Sequence, residues 1–267
     1  MVASSNPVVA VIGGGNMGAA LVGGLLASGA VEPSDLAVVE VVAARRSRLT
    51  TMFPGVAVCD SVPACGAAVI AVKPPDAPAA ARAAAAAGAR RVLSIAAGVT
   101  LATLETAVGA DVAVIRAMPN TPALVGEGAS AIAPGSACDD GDAAWAESVL
   151  GSVGLVVRVP EHQIDAVTGL AGSGPAYIFL VAEALIDAGV AAGLPRATAD
   201  ALVRQLLVGS ATLLADGGAP AELRANVTSP GGTTAAGVSV LESRAVRAAF
   251  IDAVKAATER GRELGRS

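Results

Sequence analysis

The chain has 267 residues, 54% of them hydrophobic and 15% charged, and a formal net charge of −5. That acidic balance, with no basic cluster larger than Arg45-Arg46-Ser47-Arg48, argues against a nucleic-acid partner, and Cys59, Cys65 and Cys138, odd in number and without C-x-x-C spacing, argue against a disulfide framework or a metal site. No lysine or arginine precedes Arg45, so a secretory n-region and an arginine-rich transit peptide are both missing and a cytoplasmic location is expected.

The first predicted element is a strand, Val8–Ile12, that runs directly into Gly13-Gly14-Gly15-Asn16-Met17-Gly18. Gly13, Gly15 and Gly18 fit G-x-G-x-x-G, with one glycine for a tight turn, one for close approach to a pyrophosphate and one for packing helix on strand. A helical stretch, Met17–Leu26, follows Asn16, and its N-terminal N–H groups favour phosphate. Residues Met1–Val31 carry no charge, but six glycines between Gly13 and Gly24 argue against a lipid-facing span, and no membrane partner is expected. A second strand, Leu36–Val41, carries Glu40, which stands near the spacing of roughly 20 residues expected of a ribose-binding carboxylate. Glu40 favours a free 2′-hydroxyl, while Arg45, Arg46 and Arg48 could clamp a 2′-phosphate.

Strand-like and helix-like stretches alternate as far as Val159, the doubly wound pattern. Val56–Val58, Ala67–Val72, Val92–Ile95 and Val112–Ile115 are predicted strands, and the alanine run Ala77–Arg91 suits a crossover helix. Functional residues belong beyond the carboxyl ends of such strands, which selects Ala71-Val72-Lys73-Pro74, Ser94–Gly98 and the loop Arg116–Pro122. Lys73 is long enough to reach a cofactor hydroxyl or phosphate, and a solvated lysine fits the same position equally well. The Asn120 amide can both donate to and accept from a nicotinamide carboxamide, although Asn between prolines is also ordinary turn chemistry.

Strands stop at Val159-Pro160, which divides the chain into a dinucleotide-binding domain, 1–160, and an all-helical domain, 161–267. Predicted helices run from Gly174-Pro175 to Ala192, over Ala197–Ala215, over Pro220–Val227, and from Thr233 in one long tail to about Leu264. Several are apolar on more than one stripe, which marks burial on several sides and makes the half a better dimer core than a free-standing domain. Two glycine and hydroxyl clusters, Ala171–Tyr177 and Ser229-Pro230-Gly231-Gly232-Thr233-Thr234, each precede a helix. Each could hold a small carboxylate on free N–H groups, or be a helix cap and nothing more. His162, the sole histidine, fits a surface linker better than a general acid.

Taken in order, Gly13–Gly18, Ala71–Pro74, Ile115–Pro122, Ser173–Tyr177 and Ser229–Thr234 resemble the pyrroline-5-carboxylate reductase family along nearly the whole chain. The resemblance implies an α/β Rossmann-type N-terminal domain, an all-α C-terminal dimerisation domain, and reduction of a cyclic imine, 1-pyrroline-5-carboxylate, to L-proline with NADPH or NADH. It further implies that Ala71, Val72, Lys73, Pro74 and Asn120 line the cofactor site, and that Ser229, Gly231, Gly232, Thr233 and Thr234 bind the substrate. Thr234 is then the catalytic candidate. A homodimer, extending to a ring of dimers, is the implied assembly. Two alternatives are a dinucleotide-binding redox sensor without turnover and another imine or β-hydroxyacid reductase of similar plan, the latter expected to carry a catalytic lysine for which Lys255 is the sole candidate in the helical half.

Overall fold

A computed structural model describes residues 8–265. Eight strands form one sheet in the order β3-β2-β1-β4-β5-β6-β7-β8: β1 (Val9–Ile12), β2 (Leu36–Val39), β3 (Ala57–Cys59), β4 (Ala67–Ile70), β5 (Arg91–Ser94), β6 (Ala113–Met118), β7 (Gly128–Pro134) and β8 (Gly154–Arg158). The first six are parallel in the doubly wound order, so the chain reverses direction across the sheet between β1 and β4, where a ligand crevice opens. β7 joins β6 antiparallel, and β8 runs parallel to β7.

Alternation along the strands builds a core on each face. Val9 and Val11 of β1 face Leu21, Val22 and Leu25 of helix α1 (Asn16–Ala27) and Leu150 of α5 (Asp140–Gly151), whereas Ala10 and Ile12 share the opposite core with α3 (Ala77–Ala86) and α4 (Leu101–Val108). Every residue of β1 is buried, as expected of a central parallel strand covered on both sides. The alanine run does form a crossover helix, shorter than predicted. Its buried residues are Ala77, Ala81 and Ala84, a stripe small enough to let the backbone lie close to the sheet. The helix α2 (Ala43–Met52) completes the layer beside β2.

The sixth strand runs three residues further than predicted, through Met118, and this places Arg116 inside the sheet with 5% exposure. Its guanidinium stays buried because two acids meet it: Nη1 donates to Glu161 and Nη2 to Asp165, each at 3.1 Å. Glu161 Oε1 also accepts the Leu101 amide at 2.7 Å. These contacts hold residues 161–173, including the short helix α6 (Ile164–Val167) and the π-turn Thr168–Gly172, against the sheet. Among the described residues, 8–173 with 255–265 therefore make one compact unit and Gly174–Val254 the other, so the packing boundary falls after Ser173 where the composition boundary falls at Pro160.

The second unit contains α7 (Gly174–Ala191), α8 (Arg196–Ala215), α9 (Pro220–Asn226), α10 (Thr233–Ser243) and the start of α11 (Val246–Leu264). The predicted single tail is broken because Ala245 takes the left-handed conformation, φ 57°, which ends α10. Glu242 and Arg247 are paired across the break. Only Ala199 and Val203 are buried hydrophobics in this unit, while Phe179 is 63% and Leu180 64% exposed. A layer of apolar helices with so little interior needs a second layer to cover it. We expect a mass of two chains by light scattering at micromolar concentration and a thermal midpoint that rises with protein concentration; a fully active monomer at that concentration would contradict this.

Candidate active site

The crevice begins where β1 meets its glycine turn. Gly13 has φ +109°, and a Cβ there would lie 2.5 Å from the carbonyl oxygen of Ala71 just beyond β4. A Cβ on Gly18 would collide with the carbonyl of Gly13, so α1 can start only this close to β1 with glycine at both positions. Gly15 is different. Nothing lies within 4 Å of its absent Cβ, which leaves open space over a helix that begins with no side-chain cap and no acid in its first turn. A cradle bounded by Gly13 and Gly18 and open at Gly15 fits a pyrophosphate held by backbone N–H groups.

A cleft of about 860 Å³ extends from this cradle. It brings together Gly13, Gly15, Asn16, Met17, Glu40, Ala71, Val72, Lys73, Pro74 and Asn120, while Gly18 lies beneath it, buried against Gly13. Arg45, Ile95–Ala97, Met118 and Gly172 also line it. Of these, Met118 belongs to the loop Arg116–Pro122 and Gly172 to the cluster Ala171–Tyr177, both singled out in the sequence, but nothing in either stretch showed that the two residues meet on one wall of the cleft.

Glu40 stands at the β2 end of the cleft, 5% exposed. Its carboxylate accepts the Val42 amide at 2.9 Å and Arg45 Nη1 at 3.1 Å. Burial pushes its pKa up, but these two hydrogen bonds, the Arg45 charge and the Gly14 amide more than offset that and hold it below the ordinary value. Arg46 is turned away, donating to the carbonyls of Glu40 and Val41 at 2.9 Å. Lys73 is exposed in extended backbone before Pro74.

Asn120 lines the other end of the cleft, but its amide is already engaged. Oδ1 accepts the Ala129 amide at 2.8 Å and Nδ2 donates to the Ala171 carbonyl at 3.1 Å. Of the two readings the sequence left open for this amide, the structure shows it bonded within the protein, one bond at each polar atom, at a residue 9% exposed. The Ala171–Tyr177 cluster also differs from expectation. The helical path enters α7 through α6 and the π-turn, with Ser173 N donating to Thr168 O, so no fresh helix start with free N–H groups exists there.

In the other unit, Ser229–Thr234 forms a tight turn into α10. Gly231 has φ +71°, the Gly232 amide donates to Ser229 O at 3.0 Å, and a Cβ on Gly232 would collide with the Ser229 hydroxyl. Gly232 is the N-cap, and no side chain caps the helix. The turn therefore caps α10 through backbone alone, and the first N–H groups of α10 have no partner within the helix. Thr234 is half-buried, His162 and Lys255 are exposed, and no cluster of metal-ligating side chains occurs among the described residues.

A family model described as pyrroline-5-carboxylate reductase dimerisation matches residues 161–264, and one described as NADP oxidoreductase, coenzyme F420-dependent, matches residues 8–98. A pyrroline-5-carboxylate reductase from Synechocystis is 44% identical over 262 residues, covering 96% of this chain and 97% of the relative. The chain belongs to the pyrroline-5-carboxylate reductase family. A second family member, from Mycobacterium tuberculosis, is 41% identical over 284 residues and 96% of each chain. The structure of the pyrroline-5-carboxylate reductase from Coxiella burnetii superimposes with a TM-score of 0.92 at 35% identity, covering 98% of this chain and 100% of that one. The Plasmodium falciparum pyrroline carboxylate reductase with NADP bound gives 0.83 at 29% identity, covering 98% and 99%. Pyrroline-5-carboxylate reductases are NAD(P)H-dependent oxidoreductases, and the cradle over Gly15 fits that cofactor class.

The lowered pKa of Glu40 has a stability consequence with a defined sign. A carboxylate with a depressed folded-state pKa stabilises above its unfolded value, near 4.5, and loses that contribution as pH falls through the folded value. Replacing Glu40 with Gln is expected to cost about 1 kcal/mol at pH 7, with the gap closing below pH 4.5. Denaturant titrations of both proteins across pH measure it, and a gap that stays constant into acid would contradict the assignment.

Proposed function

We propose that this chain reduces the C=N bond of 1-pyrroline-5-carboxylate to give L-proline, with its nicotinamide dinucleotide in the cleft beside Gly13–Gly18 and its substrate at Ser229–Thr234. The observation that carries the cofactor half is the open space over Gly15 at the uncapped start of α1. Bound NAD(P)H supplies the hydride, and the residues of the chain have to bind, orient and exclude water. Family membership supplies the substrate class.

The chemistry asks little of side chains. An imine protonated from water is already electrophilic, so no strong acid has to act during transfer. The glycines of Ser229–Thr234 leave backbone N–H groups accessible at the positive end of α10, which suits the substrate carboxylate. The Thr234 hydroxyl then orients the ring nitrogen or relays a proton from water, since a hydroxyl is too weak an acid to protonate an imine unaided.

At the opposite end of the cofactor, Glu40 accepts hydrogen bonds from a ribose 2′-hydroxyl and repels a 2′-phosphate, so NADH is used competently. On this reading the enzyme acts in the cytoplasm as a homodimer, and dimers assemble further into a ring. The exposed apolar run over residues 161–191, long enough by composition to cross a membrane, is assigned to subunit contact because the dimerisation region starts at the same residue.

Steady-state kinetics test both ends. Thr234→Ala lowers kcat on the order of 10²-fold with cofactor binding and dimer mass unchanged, and Thr234→Ser recovers much of the loss. Glu40→Ser raises kcat/KM with NADPH relative to NADH by about tenfold or more. Near-parental turnover in Thr234→Ala removes the substrate assignment, and an unchanged cofactor ratio in Glu40→Ser removes the ribose assignment.

A further inference from the structure

We infer that Asn120 is a positioning residue whose amide fixes the π-turn Thr168–Gly172 as the wall of the cleft against which the nicotinamide end of the dinucleotide lies. The inference rests on the proposed dinucleotide occupancy of that cleft and adds to it a role for residues that bind no part of the cofactor's adenosine half.

The starting point is a missing donor. In a continuous helix the carbonyl of Ala171 would accept the amide of residue 175, but Pro175 has no N–H to give. Asn120 supplies one in its place, with Nδ2 at 3.1 Å from Ala171 O. The same amide accepts the β7 backbone N–H of Ala129 at 2.8 Å, so a single carboxamide joins segments 9 and 51 residues away in the chain. Pro119 and Pro122 restrict the backbone that carries it, and Asn120 sits in extended conformation, φ −131°.

Two further contacts make the turn a wall. A Cβ on Gly172 would lie 2.7 Å from the terminal carbon of Met118, so the turn already packs on Met118, and both residues line the cleft with Asn120. At the other end of the segment, Arg116 pins Asp165 at 3.1 Å. The segment is therefore held at both ends, and its cleft-facing part depends on the Asn120 bond. A π-turn at such a position is a common mark of a functional site.

Position in the sheet decides which part of the ligand meets this wall. Glu40 follows β2, on the ribose side of the β1/β4 switch point, whereas Met118 ends β6 on the far side. A dinucleotide with its pyrophosphate on α1 therefore presents its nicotinamide half to Met118 and Gly172.

The test compares ligands with and without that half, by calorimetry on the full-length protein with NADH and with ADP-ribose. Asn120→Ala is expected to weaken NADH binding about tenfold, as for a lost buried hydrogen bond, while ADP-ribose binding stays within about twofold. Should Asn120→Ala fail to fold, Gly172→Ala reads the same wall without removing a hydrogen bond, because its new methyl displaces only the flexible end of Met118; the same selective loss is expected. A general structural defect would weaken both ligands together. Equal losses for NADH and ADP-ribose, or none for either, overturn the inference while leaving the dinucleotide reading intact, whereas a parent protein that binds neither ligand overturns both.

Discussion

The structure depends first on a place where no side chain fits. At the carboxyl end of β1, Gly13 turns under the carbonyl of Ala71 and the first turn of α1 lies on top of it at Gly18, each backbone so near the other that a single Cβ would force them apart. Because that contact is made entirely by backbone, the start of α1 and the ends of β1 and β4 are fixed relative to one another. The open position at Gly15 is the consequence. Glu40, Ala71–Pro74 and Met118–Asn120 take their places around it from the register of parallel strands alone.

Charge does the comparable work at the other side of the sheet. Arg116 is a cation inside an otherwise apolar strand, and a buried guanidinium without partners would be costly. Glu161 and Asp165 answer it, and in doing so they draw the start of the helical half onto the sheet. The ion pairs thus specify where the chain leaves the first unit more than they add stability, since breaking such a pair costs far more than forming it gains.

Much of this was legible in the residues. The glycine turn, the alternation of strands and helices and the placement of Glu40 follow from periodicity, and the helix limits of α1, α7, α8 and α9 fall within a residue or two of those expected from caps and breakers. What was not legible is what depends on distant partners. β7 is built largely of small residues with little strand propensity, and only its pairing with β6 makes it a strand. Arg116 looked like a loop residue because its acids lie 45 and 49 positions away, and the commitment of the Asn120 amide to Ala129 and Ala171 could not be read from its own neighbourhood. The break at Ala245 has no Gly or Pro to announce it.

The two units answer different needs: one builds a rigid cleft on a double-sided core, and the other leaves apolar helices to be covered and a glycine turn at the start of α10. The most direct test is to add 1-pyrroline-5-carboxylate to the purified full-length protein with NADH and, separately, NADPH, following nicotinamide absorbance and assaying the product. The account predicts that absorbance falls with at least one cofactor and that L-proline forms in equal amount to the cofactor oxidised; dinucleotide binding without turnover with either cofactor would contradict it.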